Sequence, residues 1–263
     1  MSDAFPLWDP RQYNRFEAQR DRAAFDLLVR LPEDLDPAEI WDLGCGTGQH
    51  AALLKRRHPN ARVYGLDSSA AMLEQARALS ADVDWSVGDI ATWAPDRPAD
   101  LILANASLQW LPDHTALFAH LAGALTPGGL LAVQMPMAWE TCHHTIMRET
   151  AAEGPWASVL TGVDTIAPLL PAEAYYEALA PLCDDIDIWS TTYLHVLTGE
   201  NAVLEWMKGT ALRPYLTALA GDAALREAFL TALSLRLSEA FPRRRDGATF
   251  LPFPRLFLVA QRR

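Results

Sequence analysis

An α/β fold, with a mostly parallel sheet and helices on both faces, is what this sequence predicts, and three observations predict it. Between residues 40 and 136 short apolar runs alternate with amphipathic helical segments. The first run empties into a glycine loop, "DLGCGTG", over residues 42–48. The next two runs each end on an acid, Asp67 and Asp89. The length of 263 residues suits one elaborated domain, 1–263. Within it we expect a ligand-binding core at 40–136 and helical insertions at 137–182 and 199–245 that act as a lid.

The elements follow in order. Residues 9–31 carry helix-like spacing through Phe16, Ala23, Leu27 and Leu28, and Pro32 and Pro37 then break the chain. "IWDLGCGTG" reads as a strand into a tight turn, and "QHAALLKRRH" as the helix that follows, closed by Pro59. "ARVYGLD" is the second strand, and "SSAAMLEQARAL" a helix with a serine N-cap. "VDWSVGD", "DLILANA" and "GLLAVQMP" supply three more strands, the last entered through a turn at "TPGG". After Pro136 the rhythm changes to helices broken by Pro155, Pro168 and Pro171. "DIDIWSTTYLHVL" alternates like a strand, 199–241 is again helical, and "FPRLFLVAQRR" closes the chain as a strand.

Composition narrows the partners. Half the residues are apolar and the formal charge is −11, so a nucleic-acid polyanion is not an expected partner. An acidic metabolite would need a local cluster of cations against that field. Cys45, Cys142 and Cys183 form no CxxC pair, so neither a disulfide framework nor a zinc site is expected. The sequence Cys142-His143-His144 does not make a metal site either, because adjacent side chains on a helix diverge. The N-terminal segment lacks the apolar run of a signal peptide, and no stretch reaches membrane-spanning length. A cytoplasmic protein without membrane contact is the expectation.

The glycine loop carries the chemistry. Gly44, Gly46 and Gly48 stand where the first strand turns into its helix, so backbone can approach a ligand beside free N–H groups. The spacing is G-x-G-x-G rather than the G-x-G-x-x-G of dinucleotide sites. Asp67 lies at the distance expected of an acid that accepts from ribose hydroxyls. This loop, with Asp42 before it, resembles the S-adenosylmethionine site of class I methyltransferases. That implies a Rossmann-like, seven-stranded sheet and places Asp89 beside the adenine amino group. The resemblance also implies a wider cofactor set: Tyr13, Arg20, Cys45, Ser68, Met72, Ile90, Asn105, Ala106 and Ser107.

The resemblance extends to one branch. "WDPRQY", "ANASLQWLPDH", "LAVQMP", "DIWSTTYLH", "LRPYL" and "FPRLF" together are similar to the trans-aconitate 2-methyltransferases, over essentially the whole chain. This implies methyl transfer from S-adenosylmethionine to one carboxylate of a small tricarboxylate. A carboxylate is already ionised at neutral pH, so no general base is called for. Neutral donors should hold the reacting carboxylate, because a tight Arg clamp would deactivate it. By analogy with other carboxyl methyltransferases these are Gln19 and Trp110. The remaining carboxylates call for cations, with Arg22, Arg148, Arg213 and Arg255 as candidates. His144, Trp139 and Tyr193 are further candidate substrate contacts, each with core packing as the alternative. Tyr193 and His195 share one strand face by period two. The run Arg243-Arg244-Arg245 reads as a solvated helix end. Met137 departs from the polar residue the resemblance suggests. Two other functions fit the same loop: methylation of a different small molecule, or binding of S-adenosylmethionine without catalysis.

Overall fold

The computed structural model describes residues 17–163 and 167–263, with side chains described from residue 21 onward. The first described helix, α1 (Glu17–Val29), stops shortly before Pro32 and buries Ala23, Ala24, Leu27 and Leu28 on one stripe. The core then alternates β1 (Glu39–Leu43), α2 (Gln49–Arg57), β2 (Arg62–Asp67), α3 (Ala70–Leu79), β3 (Asp84–Val87) and β4 (Ala99–Asn105). It continues through α4 (His114–Gly123) into β5 (Leu125–Pro136). Ser69 caps α3 by accepting from Met72 N, as its position before the apolar run requires.

Strands β6 (Cys183–Thr198) and β7 (Ala248–Arg262) complete a seven-stranded sheet in the order β3-β2-β1-β4-β5-β7-β6. β1 to β5 run parallel and β7 runs antiparallel to β5. The chain winds outward from β1 to β3, then returns to lay β4 on the other side of β1. That reversal is a topological switch point, where open α/β sheets bind ligands at the carboxyl ends of their strands.

The "TPGG" segment is not a turn ahead of β5 but part of it. Gly128 takes φ +82°, and the register with β4 slips between Ala99 and Leu101. Thr126 Oγ1 donates to Asp100 Oδ1 at 2.8 Å, pinning the extra residues as a bulge. The arginines 243–245 likewise stand beyond the last helix, in a loop where Arg243 Nε donates to Gly247 O.

The chain forms two compact units. The sheet unit comprises Arg20–Pro136, Leu169–Thr191 and Arg255–Arg263. One face of its sheet packs Leu43, Ile102, Leu131, Val133 and Leu258 against Phe118 and Leu121 of α4 and Tyr175 and Leu179 of α7 (Ala172–Leu179). The Phe118 and Tyr175 rings lie 4.7 Å apart, and Tyr175 Oη bonds His114 Nδ1 at 2.7 Å. Removing a ring of that size from a filled core costs about 3–5 kcal/mol. The segment carrying α7 thus belongs with the sheet. Arg30, just past α1, pairs with Asp187 of β6 at 2.7 Å and lies over Trp189, which stacks on Phe257 of β7.

The helical unit is built mainly from Met137–Pro168 and Thr192–Pro254. It contains α5 (Cys142–Ala152), α6 (Ala157–Leu160), α8 (Ala202–Lys208), α9 (Arg213–Ala218) and α10 (Ala223–Ala240). Its core gathers Met147, Trp156, Trp206, Tyr215, Phe229, Leu233 and Phe253. Trp156 Nε1 donates to Thr150 O at 2.6 Å, so the largest ring is both packed and satisfied. Among the described residues no helix is long and apolar enough to cross a membrane.

Candidate active site

The glycine loop leaves β1 at the switch point, and each of its glycines meets a different demand. Gly44 has φ +77°, and a Cβ there would stand 2.3 Å from Ser107 Cβ. Only glycine lets the end of β1 and the loop after β4 touch. Gly46 has φ +55° with open space where a Cβ would go, which leaves its backbone free to face a ligand. Gly48, at φ +88°, is pressed against Trp85 and Ala76, so it is a packing glycine between α2 and α3. Gly44 and Cys45 both donate to Leu66 O, at 2.7 and 3.0 Å, which fastens the loop to the end of β2.

Asp67 ends β2 and holds the same loop from the other side. Its Oδ2 accepts from Gly46 N and its Oδ1 from Ser69 N, both at 2.8 Å. Burial raises its carboxyl pKa and those two bonds oppose the rise. Each oxygen keeps a further lone pair for a ligand hydroxyl. Asp89 is exposed and caps the short 3-10 turn Ile90–Thr92 by accepting from Ala91 N, and Ile90 is buried beneath it.

Asp42 is the most constrained acid. It is 1% exposed, and burial pushes its carboxyl up to about 6; His50 opposes that rise and Asp67 adds to it. Ala51 N donates to the carboxylate, whereas Oδ2 has no hydrogen-bond partner. A buried carboxylate oxygen left unmatched costs about 1–3 kcal/mol or more, which is recovered when a cation or donor arrives. The cofactor's ammonium and sulfonium are cations, and the open, positive-φ loop above offers backbone to its polar groups. The residues present fit S-adenosylmethionine.

The next strand end continues the pattern. Asn105 closes β4 with Oδ1 buried and unpartnered. Ala106 follows at φ 53°, a region alanine seldom enters, so the turn holds it there. Ala106 N donates to Gln134 O at 2.8 Å, and Gln109 Nε2 donates to Ala106 O at 2.7 Å. Ser107 Oγ donates to Leu43 O at 2.7 Å, joining β4's loop to β1. Gln109 therefore supports the strained turn, with Oε1 left unpartnered. Trp110 ends the 3-10 turn Leu108–Trp110, half-buried.

One buried polar residue at this rim escaped sequence reasoning. Gln134 lies opposite Asn105 in the β4–β5 register, and by strand alternation these two share a sheet face with Asp42, whose partner is Leu103. Gln134 is fully buried, its Oε1 accepts from Arg255 Nη1 at 3.2 Å, and its Nε2 has no partner. Arg255 is itself only 4% exposed. The clue was present: "LLAVQMP" interrupts an aliphatic strand with an amide, as "LILAN" does. Trp93 Nε1 and His58 Nε2 also lack partners, but Trp93 packs on Trp41 on the opposite face and His58 precedes β2.

The remaining candidates divide. Cys45 contributes only backbone, because its thiol is buried against Leu73 and Ala76 and burial pushes its pKa far up. Met72 is buried, and Ser68 is exposed beside Asp67. Arg22 is exposed on α1. Trp139, His144, Arg148, Tyr193 and Arg213 all belong to the helical unit. There Arg148 Nη1 donates to Trp139 O at 2.8 Å and its guanidinium lies 4.0 Å over the Trp139 ring. His144 is 4% exposed, and burial lowers its pKa to about 4, aided by Arg148. Tyr193 is buried and stacks on His195, so the expected common face is a packed one. Arg213 is half-buried at the start of α9. Tyr13 and the side chains of Gln19 and Arg20 lie outside the described residues. Among the described residues no group of His, Cys, Asp and Glu is arranged to hold a metal ion.

Comparison with known proteins agrees with this geometry. Residues 40–129 match the family model described as a methyltransferase domain. The chain is 50% identical to trans-aconitate 2-methyltransferase of Azoarcus sp. (strain BH72), covering 98% of this chain and 100% of that one. It is 45% identical to the enzyme of that name from Yersinia pestis (strain Pestoides F), over 96% and 97% of the two chains. Among solved structures, the fold is similar to a chain of the Haloferax volcanii complex between the Trm112 activator and a methyltransferase. That match has a TM-score of 0.56 at 20% identity, over 100% and 99% of the chains. The YcgJ protein from Bacillus subtilis matches at TM-score 0.55 and 14% identity, over 92% and 97%. With a glycine loop, two strand-end acids and relatives half identical along their whole length, the chain belongs to the trans-aconitate 2-methyltransferase family and uses S-adenosylmethionine.

Proposed function

We propose that this protein methylates one carboxylate of trans-aconitate, forming its monomethyl ester. The observation that carries the reading is the 50% identity that runs through all of the Azoarcus enzyme, well beyond the cofactor core. The polar rim at the ends of β1, β4 and β5 supports it. Bound S-adenosylmethionine supplies an electrophilic methyl on a sulfonium. The chain has to hold the cofactor, align one carboxylate oxygen behind that methyl and exclude water.

Asp42, Gly46 and Asp67 do the first task. Asp42's unmatched oxygen favours a cation, and Asp67 offers acceptors for hydroxyls. Alignment falls to the loop after β4, which Ser107, Gln109 and the strained Ala106 keep in one shape. Trp110 at its end presents an indole N–H, a neutral donor that orients a carboxylate without quenching its nucleophilicity. Positioning of this kind contributes on the order of 7–11 kcal/mol for a well-aligned pair. Arg255 supplies a cation for a carboxylate that does not react. No base is needed, since the nucleophile is ionised already.

The test is turnover with a panel of acids, each beside a hydroxyl or amine counterpart, followed as S-adenosylhomocysteine and product mass. Ester formation with trans-aconitate above the other acids is expected. Turnover confined to a phenol or an amine, or cofactor binding with no turnover at all, would overturn the reading.

A further inference from the structure

Gln134 is the buried polar side chain at this rim that the methyl-transfer reading leaves without a task. It has no exposure at the carboxyl end of β5, among Leu130, Leu131, Val133 and Met135, all buried. A glutamine kept there needs a reason, because leucine would fill the volume without a stranded amide. Its two ends differ. Oε1 accepts from Arg255 Nη1 at 3.2 Å, while Nε2 has no hydrogen-bond partner.

The strand register explains how they meet. Gln134 faces Phe257 across β5 and β7, and Arg255 stands two residues before Phe257, so Gln134 and Arg255 project from the same sheet face. On the other side Gln134 faces Asn105, whose Oδ1 is also buried and unpartnered. The order of groups across three adjacent strands is therefore an acceptor, a neutral donor and a guanidinium.

We propose that Gln134 sets selectivity for polycarboxylates: its Oε1 fixes the Arg255 guanidinium, and its Nε2 joins that guanidinium in binding a non-reacting substrate carboxylate. A carboxylate oxygen accepts readily from an amide N–H beside a guanidinium. The amide is neutral, so it holds the guanidinium without cancelling the charge that attracts the acid. A carboxylate at position 134 would cancel it. The proposal rests on the polycarboxylate reading above.

The experiment compares wild type with Gln134→Leu and Gln134→Glu, using the full-length protein. Calorimetry measures S-adenosylhomocysteine binding, then trans-aconitate binding to that complex. Steady-state kinetics are run with trans-aconitate and with but-2-enoate, which keeps the alkene and one carboxylate. Both variants are expected to weaken trans-aconitate binding about 10- to 100-fold, the range for losing a buried bond to a charged group. KM rises with that loss, kcat changes far less, and the preference over but-2-enoate shrinks. Cofactor affinity stays as in wild type. Gln134→Glu keeps the shape, so it reports even where Gln134→Leu fails to fold.

Unchanged trans-aconitate affinity in Gln134→Glu would overturn the proposal. So would an equal loss for cofactor and acid, which marks a merely structural role. If wild type binds and esterifies a different polycarboxylate, the trans-aconitate reading fails alone and the same comparison is made with that acid. If wild type binds no carboxylate, both fall.

Discussion

The two units of this chain place their buried polar groups in different surroundings. In the sheet unit, Asp42 Oδ2, Asn105 Oδ1, Gln109 Oε1 and Gln134 Nε2 are buried without hydrogen-bond partners, all from the ends of β1, β4 and β5. In the helical unit several buried polar side chains lie against rings or bond a neighbour. His143 stacks near Phe253 and bonds Thr141, His195 stacks on Trp206, and Trp156 donates to Thr150. Unmatched polarity is costly, so a fold keeps it where a ligand completes it. The sheet unit is built to receive something polar.

Breaking the glycine loop should produce the largest effect, and one confined to ligand binding. Gly44→Ala places a Cβ at 2.3 Å from Ser107 Cβ and at a positive φ. Cofactor affinity is expected to fall about 100-fold or more, measured by calorimetry, with the far-ultraviolet spectrum retained.

Acid sharpens the contrast, since His144 of the helical unit and Asp42 of the sheet unit respond with opposite sign. His144 has its pKa lowered to about 4 by burial, and His143 is lowered well below its usual value too. Their contribution to stability is full above the unfolded value near 6.5 and is lost as pH falls from there toward 4. For His144 alone that amounts to about 3 kcal/mol. Asp42 behaves the other way. Its folded value of about 6 exceeds its unfolded one, so its ionisation subtracts stability above pH 6 and that cost fades as pH falls toward 3.8. Thermal melts from pH 7 to 4.5 should show a net loss, made shallower by His144→Gln and steeper by Asp42→Asn.

A third effect is smaller. The cofactor's positive groups favour ionised Asp42, so affinity for S-adenosylmethionine should rise by about tenfold as pH increases through 6. In Asp42→Asn the rise should be absent, as calorimetry at pH 5 and 7.5 would show. The smallest concerns one hydrogen bond: Trp110→Phe should lower kcat/KM for the acid by about tenfold and leave cofactor affinity unchanged.

Much of the sheet unit was legible beforehand because local rules govern it. Alternating runs located the strands, and a serine before "AAMLEQ" located the start of α3. The loop spacing and strand-end acids carried the resemblance that implied the cofactor class. What stayed hidden depends on pairing across strands. The TPGG segment looks like a free turn until Asp100 and the β4 register turn it into a bulge. Gln134 is one amide among aliphatics until Arg255 arrives from 121 residues away. Cys45 sits in the glycine loop by sequence, yet its side chain turns inward onto Leu73. In the helical unit the expected substrate contacts Trp139 and Arg148 bond each other, a pairing set by the fold of α5 rather than by spacing alone.

A crystal structure with S-adenosylhomocysteine and trans-aconitate tests most directly whether the unmatched atoms of the sheet unit are its ligand contacts. It should show one carboxylate within hydrogen-bond distance of Gln134 Nε2 and the Arg255 guanidinium, and another at the Trp110 indole. Aconitate bound elsewhere, with Gln134 Nε2 and Asn105 Oδ1 still unpartnered, would contradict that account.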